Sequence, residues 1–183
     1  MVDQNKIRQA VRLLLDGIGE DGSREDLSET PDRVARMYAE IMAGYDQDPK
    51  EYLSKTFVSN AKGIVLEKDI AFYSVCEHHL APFFGTAAIA YIPDDRVVGL
   101  SKLARTVEVY SRRLQLQENM TNQIADAVMS CLQPKGVMVL TQAEHLCVSM
   151  RGVQKPGTKT STIAVRGIFE EHPELQDSVF RML

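Results

Sequence analysis

Two four-residue segments, CEHH at Cys76 to His79 and EHLC at Glu144 to Cys147, hold two of the chain's three cysteines and three of its four histidines. A fold that joins them makes a metal site. Thiolate and imidazole are the ligands Zn²⁺ prefers, and a catalytic zinc takes three protein ligands with a fourth position left open. Cys76, His79 and Cys147 supply such a set. The run VMVLTQAEHLCVSM around Cys147 is apolar and rich in β-branched residues. Its alternation places Val137, Val139, Thr141, Ala143, His145, Cys147 and Ser149 on one strand face, so His145 and Cys147 are expected to point the same way. CEHH follows another strand-like run, Ile70 to Val75, and a Cys-x-x-His turn lets side chains three apart converge on one ion.

Simpler readings compete with this one. Cysteine is often just buried, and a lone Cys-x-x-His is a weak signal. A Cys76–Cys147 disulfide is disfavoured by the odd cysteine count and the lack of a secretory signal, which together predict a reducing, cytoplasmic setting. Cys131 reads as a small hydrophobe in a helix. A structural zinc is usually closed by four Cys or His ligands, whereas here His78 and His145 stand beside three. Unligated histidines next to a metal point to acid-base work.

A chain of 183 residues suffices for one main α+β domain with a small helical segment attached. The expected division is residues 1–60, helical, and residues 61–183, catalytic. The hydrophobic and charged fractions, 44% and 25%, are those of a soluble globular protein, and no apolar run reaches the length of a membrane span. A net charge of −4 removes the basic field that nucleic-acid binding needs. An anion must therefore be held locally, by residues such as Lys102, Arg105, Arg112, Arg113, Arg151, Lys155, Lys159 and Arg166.

Apolar positions Ile7, Val11, Leu14 and Leu15 give the first helix its spacing, and Gly17 with Gly19 ends it. A second helix starts with Thr30 as expected N-cap and Pro31 at the first helical position. A strand-like stretch from Gly63 to Cys76 and another from Phe83 to Ile92 follow, the latter closed by a turn at Pro93 to Asp95. Two helices come next. Leu100, Leu103, Val107, Tyr110 and Leu114 mark one face of the first, with Ser101 as the expected cap. Met120, Ile124, Ala127, Val128 and Cys131 mark one face of the second. A hairpin runs from Gly136 through the loop RGVQKPG to TKTSTIAVRGIF, and PELQDSVFRML reads as a terminal helix. The order helix pair, strand pair, helix pair, strand pair, helix excludes a Rossmann alternation and predicts an antiparallel sheet with helices on one face. Such a sheet has edges to cover, so a homo-oligomer is expected.

From the second helix nearly to the C-terminus the chain resembles GTP cyclohydrolase I. The resemblance rests on ETPDRVARMY, FYSVCEHHLAPFFG, AYIPDDRVVGLSKLARTVEVYSRRLQLQENMTNQIADAV and EHLCVSMRGVQKPGTKTST. Departures are confined to positions such as Thr86 and Ala88. The resemblance implies a tunnelling fold with a four-stranded antiparallel sheet, helices packed on one face and N-terminal helices. It also implies a decamer of two pentamers with pockets between subunits. The implied substrate is GTP, opened at C8 of the imidazole ring with loss of formate to give 7,8-dihydroneopterin triphosphate, the first step of pterin and tetrahydrofolate biosynthesis. Cys76, His79 and Cys147 are then the ligands of Zn²⁺, and His78 and His145 the acid-base pair. Glu118 would accept both donors of the guanine edge, Gln117 would bind substrate beside it, and Ser101 would lie near the ribose. Lys102, Arg105 and Arg151 would hold the triphosphate, with Arg33 reaching in from a neighbouring subunit. The rival reading is a non-catalytic, zinc-stabilised nucleotide-binding oligomer, which needs neither histidine. A zinc deaminase is disfavoured because its H-x-E and P-C-x-x-C signature is missing. Other tunnelling-fold pterin or deazapurine enzymes are disfavoured by Glu118 together with the Lys102, Arg105 and Arg151 set.

Overall fold

A computed structural model describes residues 2–183. The chain opens with α1 (Gln4–Gly17), whose free N–H groups are met by the Asp3 side chain, accepting from Asn5 and Lys6 at 3.1 Å each. This helix packs on α2 (Thr30–Ile41), and Arg8 Nε donates to Asp32 Oδ1 across the pair at 2.5 Å. Val11 and Leu15 form the buried stripe, but Leu14 is 62% exposed, because it points away from the narrow arc of α1 that packs on α2. Thr30 is the first helical residue, not the cap. Glu29 before it already has helical backbone angles, and no side chain caps the helix. A 3₁₀ turn (Ala43–Asp46) and α3 (Lys50–Leu53) lead to β1 (Thr56–Val58).

The remaining elements are β2 (Val65–Cys76), β3 (Pro82–Ile92), β4 (Arg96–Val98), α4 (Leu100–Ser111), β5 (Leu114–Gln115) and α5 (Gln117–Leu132), then β6 (Gly136–His145), α6 (Leu146–Ser149), β7 (Lys159–Gly167), α7 (Ile168–Glu171) and α8 (Pro173–Met182). The four expected long strands pair antiparallel in the order β2-β3-β6-β7. The sheet nevertheless has five strands, because β5 lies parallel to the end of β2, with Cys76 opposite Gln115. A separate ribbon pairs β1 with β4.

Helices cover both faces, not one. On one face α4 and α5 bring Leu103, Val107, Ile124 and Val128 onto Phe72, Ile89, Tyr91, Val137 and Val139, with Leu53 of α3 in the same cluster. Strand alternation sends Ala90, Ile92 and Met138 to the other face, where Phe169 of α7 and Val179 of α8 meet them. The C-terminal segment is short enough to be mistaken for a tail, but it carries this second core. Among the described residues no helix is long and apolar enough to cross a membrane.

Ile124 is fully buried in the larger cluster. Truncation there leaves a cavity that neighbouring side chains refill only in part. Ile124→Ala is expected to destabilise the fold by about 2–5 kcal/mol, read as a lower urea midpoint at unchanged slope.

Candidate active site

The first half of the site is a turn at the end of β2. Cys76 N donates to Ala81 O and Leu80 N to Cys76 O, both at 2.9 Å, so the chain folds back on itself within six residues. Closing so tight a turn forces Leu80 into the left-handed region at φ 52°, which a non-glycine residue occupies only at a cost. The fold-back sets His79 Nδ1 3.9 Å from Cys76 Sγ. Glu77 N donates to Gln115 O, so the two-residue β5 anchors the turn from the side.

The second half departs from the sequence expectation. β6 ends at His145, and Cys147 lies in the helical turn α6 instead of continuing the strand alternation. That turn carries the Cys147 thiol to the Cys76 and His79 pair, and the three ligand atoms all lie within 4.8 Å of one another. Tetrahedral zinc with bonds of 2.0–2.3 Å sets its ligand atoms about 3.5–3.8 Å apart, so the cluster fits after a small contraction. Burial first, and then neighbouring Cys76, push the Cys147 thiol up from its ordinary pKa. A cation between the two sulfurs removes that penalty. This is the single such Cys/His/carboxylate group among the described residues.

Beside the cluster, His145 is held on two sides. Its ring stacks on Phe83, centroids 4.6 Å apart and planes 3° from parallel, as the register opposing these two residues on β3 and β6 requires. Its Nε2 lies 2.8 Å from Gln117 Oε1. Gln117, at the start of α5, is 1% exposed, and its Nε2 faces Thr141 O at 3.1 Å and Thr160 O at 3.0 Å. Around that amide the hydroxyls of Thr121, Thr141 and Thr162 lie 2.6–2.8 Å from one another, and Thr121 Oγ1 donates to Gln117 O.

Burial holds His145 below its ordinary pKa, partly opposed by the negative charge of Glu118. The sign follows directly. The unfolded chain takes up a proton on this ring near pH 6.5 while the folded chain still resists, so the contribution to stability is complete above that pH and is lost as pH falls towards the folded value. The urea midpoint is expected to drop between pH 7.5 and 5.5, and to drop less in His145→Gln.

The other candidate residues are distributed unevenly. His78 is 62% exposed at its side chain, with Nε2 4.0 Å from Glu77 Oε1. Glu118 is exposed in the first turn of α5, near enough to act on His145, and Arg151 follows α6 near enough to act on Cys147. Ser101 and Lys102 sit in the first turn of α4, where Gly99 in extended conformation is the N-cap, so Ser101 is a helical residue and not the cap. Arg105 lies over the Tyr52 ring at 5.6 Å, and Arg33 pairs at 2.8 Å with Glu29, the residue just before its own helix. No hydrogen bond or ion pair among the described residues joins Ser101, Lys102, Arg105 or Arg33 to the Cys and His cluster.

Sequence reasoning passed over Phe83, the three threonines and Glu144, whose Oε1 accepts from Gly157 N and ties the loop after Arg151 back to β6. The threonines left a faint signal, with Thr141 and Thr162 falling on inward positions of paired strands where apolar residues are the norm.

A model of the GTP cyclohydrolase I family matches residues 7–183. GTP cyclohydrolase 1 of Clostridium kluyveri is 58% identical over 182 residues, spanning 100% of this chain and 98% of the relative. The protein of the same name from Clostridium perfringens is 58% identical over 183 residues (100% and 99%), and that of Streptococcus pneumoniae 53% over 182 (100% and 99%). Among solved structures, the archaeosine synthase QueF-Like in its apo form aligns with a TM-score of 0.50 at 19% identity. The alignment covers 59% of this chain and 97% of that one, a likeness of fold alone.

Proposed function

The chain belongs to the GTP cyclohydrolase I family, and on that premise we propose that it opens the imidazole ring of GTP at C8, releases formate and yields 7,8-dihydroneopterin triphosphate. The observation that carries this reading is the convergence of Cys76, His79 and Cys147 beside a histidine that the protein itself orients. A thiolate-rich, three-ligand set suits Zn²⁺. When bound, zinc supplies Lewis-acid activation of water at neutral pH.

The remaining chemistry falls to side chains. His145, kept largely neutral by burial, is ready to accept a proton at physiological pH, while exposed His78 next to the ligand turn exchanges protons with substrate from the solvent side. Glu118 accepts N1–H and the 2-amino group of guanine with one carboxylate. Ser101 approaches the ribose, and Lys102, Arg105 and Arg151 gather the triphosphate charge. Among the described residues the Arg33 side chain pairs with Glu29 alone, which supports its serving the pocket of a neighbouring copy. The wider reading is a tunnelling-fold domain over residues 61–183, preceded by a helical segment, assembled as a decamer of two pentamers.

The test is direct. Purified protein incubated with GTP is assayed for formate and, after oxidation, for fluorescent neopterin, with and without prior chelation. Both products are expected, and both are expected to vanish on metal removal. Tight GTP binding by metal-replete protein with neither product would overturn the reading in favour of a non-catalytic module.

A further inference from the structure

The buried amide of Gln117 is the least expected feature around the site. A glutamine side chain at 1% exposure has to satisfy an acceptor and a two-proton donor inside the protein. Its donor end faces two backbone carbonyls, Thr141 O and Thr160 O, with the hydroxyls of Thr141 and Thr162 at 3.1 and 3.3 Å. Carbonyl oxygens only accept. Turning the amide over would set Oε1 against two of them at about hydrogen-bond distance, a repulsive arrangement with no proton between the atoms. The amide is therefore locked with Oε1 towards His145.

That orientation settles the other ring. Oε1 only accepts, so the His145 nitrogen 2.8 Å away must carry a proton. Nδ1 has no hydrogen-bond partner among the described residues. A half-turn of the ring keeps it parallel to Phe83 but sets a carbon, Cε1, where Nε2 stands, which gives up the bond to Gln117 without offering Nδ1 in its place.

We propose that Gln117 is a positioning residue that serves the substrate only through His145: it holds the ring as the Nε2–H tautomer, so that His145 exchanges protons with substrate through Nδ1 alone. A proton taken from substrate at Nδ1 gives an imidazolium whose Nε2–H still donates to Gln117, and returning that proton from Nδ1 restores the starting tautomer, with no net change in the ring. Thr121, Thr141 and Thr162 form the cradle that keeps the amide from turning. This rests on the proposed acid-base role of His145.

Two measurements test it. In the ¹⁵N solid-state spectrum of histidine-labelled zinc holoenzyme, the ring signals that disappear in His145→Ala should show a protonated Nε2 and a bare Nδ1. A protonated Nδ1 overturns the proposal, and this readout needs no Gln117 variant to fold. In kinetics, Gln117→Met is expected to lower kcat about 10- to 100-fold, the scale of a misplaced catalytic group, with KM for GTP and zinc content within about twofold. Gln117→Glu, as a neutral acid in this buried site, keeps an oxygen facing Nε2–H and is expected to recover much of the loss. A raised KM with kcat preserved would mean that Gln117 touches the substrate, and would sink the proposal. If His145→Ala itself turns over GTP normally, the catalytic assignment of His145 fails separately from the tautomer assignment.

Discussion

Cys147→Ala is expected to lose both its metal and its turnover, whereas His145→Ala keeps the metal and loses turnover alone. The two residues are neighbours in sequence, so only their different surroundings can separate them. Cys147 contributes one of three ligand atoms within 4.8 Å of one another, and no other Cys, His or carboxylate among the described residues stands ready to replace it. Two protein ligands from one turn hold zinc poorly, so removal of the third should leave the purified protein with little metal. His145 lies outside the cluster, stacked on Phe83 and bonded to Gln117. Losing a general acid-base group costs about 10²–10⁴ in rate. Zinc content by elemental analysis beside formate release decides the matter. Loss of zinc from His145→Ala would make that residue a ligand and end the division of roles.

Gly85→Ala is expected to prevent folding or to cost more than about 4 kcal/mol, at the far end of what single substitutions do. A Cβ at Gly85 would lie 1.8 Å from Gln142 O and 2.7 Å from Ala143 Cα. Both are backbone atoms of β6, so no side chain can rotate out of the way. β3 and β6 would have to part where their ladder runs from Phe83 opposite His145 to Ile92 opposite Gly136. Against a total stability of about 5–15 kcal/mol, little would remain. Gly63→Ala is the control. Nothing lies within 4 Å of its Cβ position, and its urea midpoint should match that of the parent. An equal loss in both variants would show that the close approach of the strands is not the cause.

What the sequence made legible was whatever repeats. Leu103 and Val107 on α4, and Met120, Ile124 and Val128 on α5, are buried as helical spacing requires, and the four long strands stand where alternating or apolar runs put them. What it hid was whatever is short. β5 is a two-residue strand, and β1 and β4 have three residues each, too few for a period to show. The change from β6 to α6 at His145 was invisible because HLCVSM alternates acceptably as a strand while also closing a helical turn. The convergence of Cys76, His79 and Cys147 was legible despite that error, since thiolates and imidazoles grouped in sequence keep their chemistry whatever the backbone between them does. The cradle around Gln117 was not. A buried glutamine reads like any surface glutamine until two strands and a helix are laid around it.

The ligand cluster also bears on when the molecule becomes whole. Cys76 ends β2, while Cys147 comes only after α4, α5 and β6 have been made, and β6 takes an interior place in the sheet between β3 and β7. During synthesis these three side chains cannot meet until that interior strand has left the ribosome and docked, so a metal held by them would be captured late and would close a long loop. An ion bound only to the finished arrangement stabilises the finished arrangement: at a thousand times its Kd it adds about 4 kcal/mol. Metal starvation should then shorten the lifetime of the polypeptide against cellular proteases, and not merely silence it.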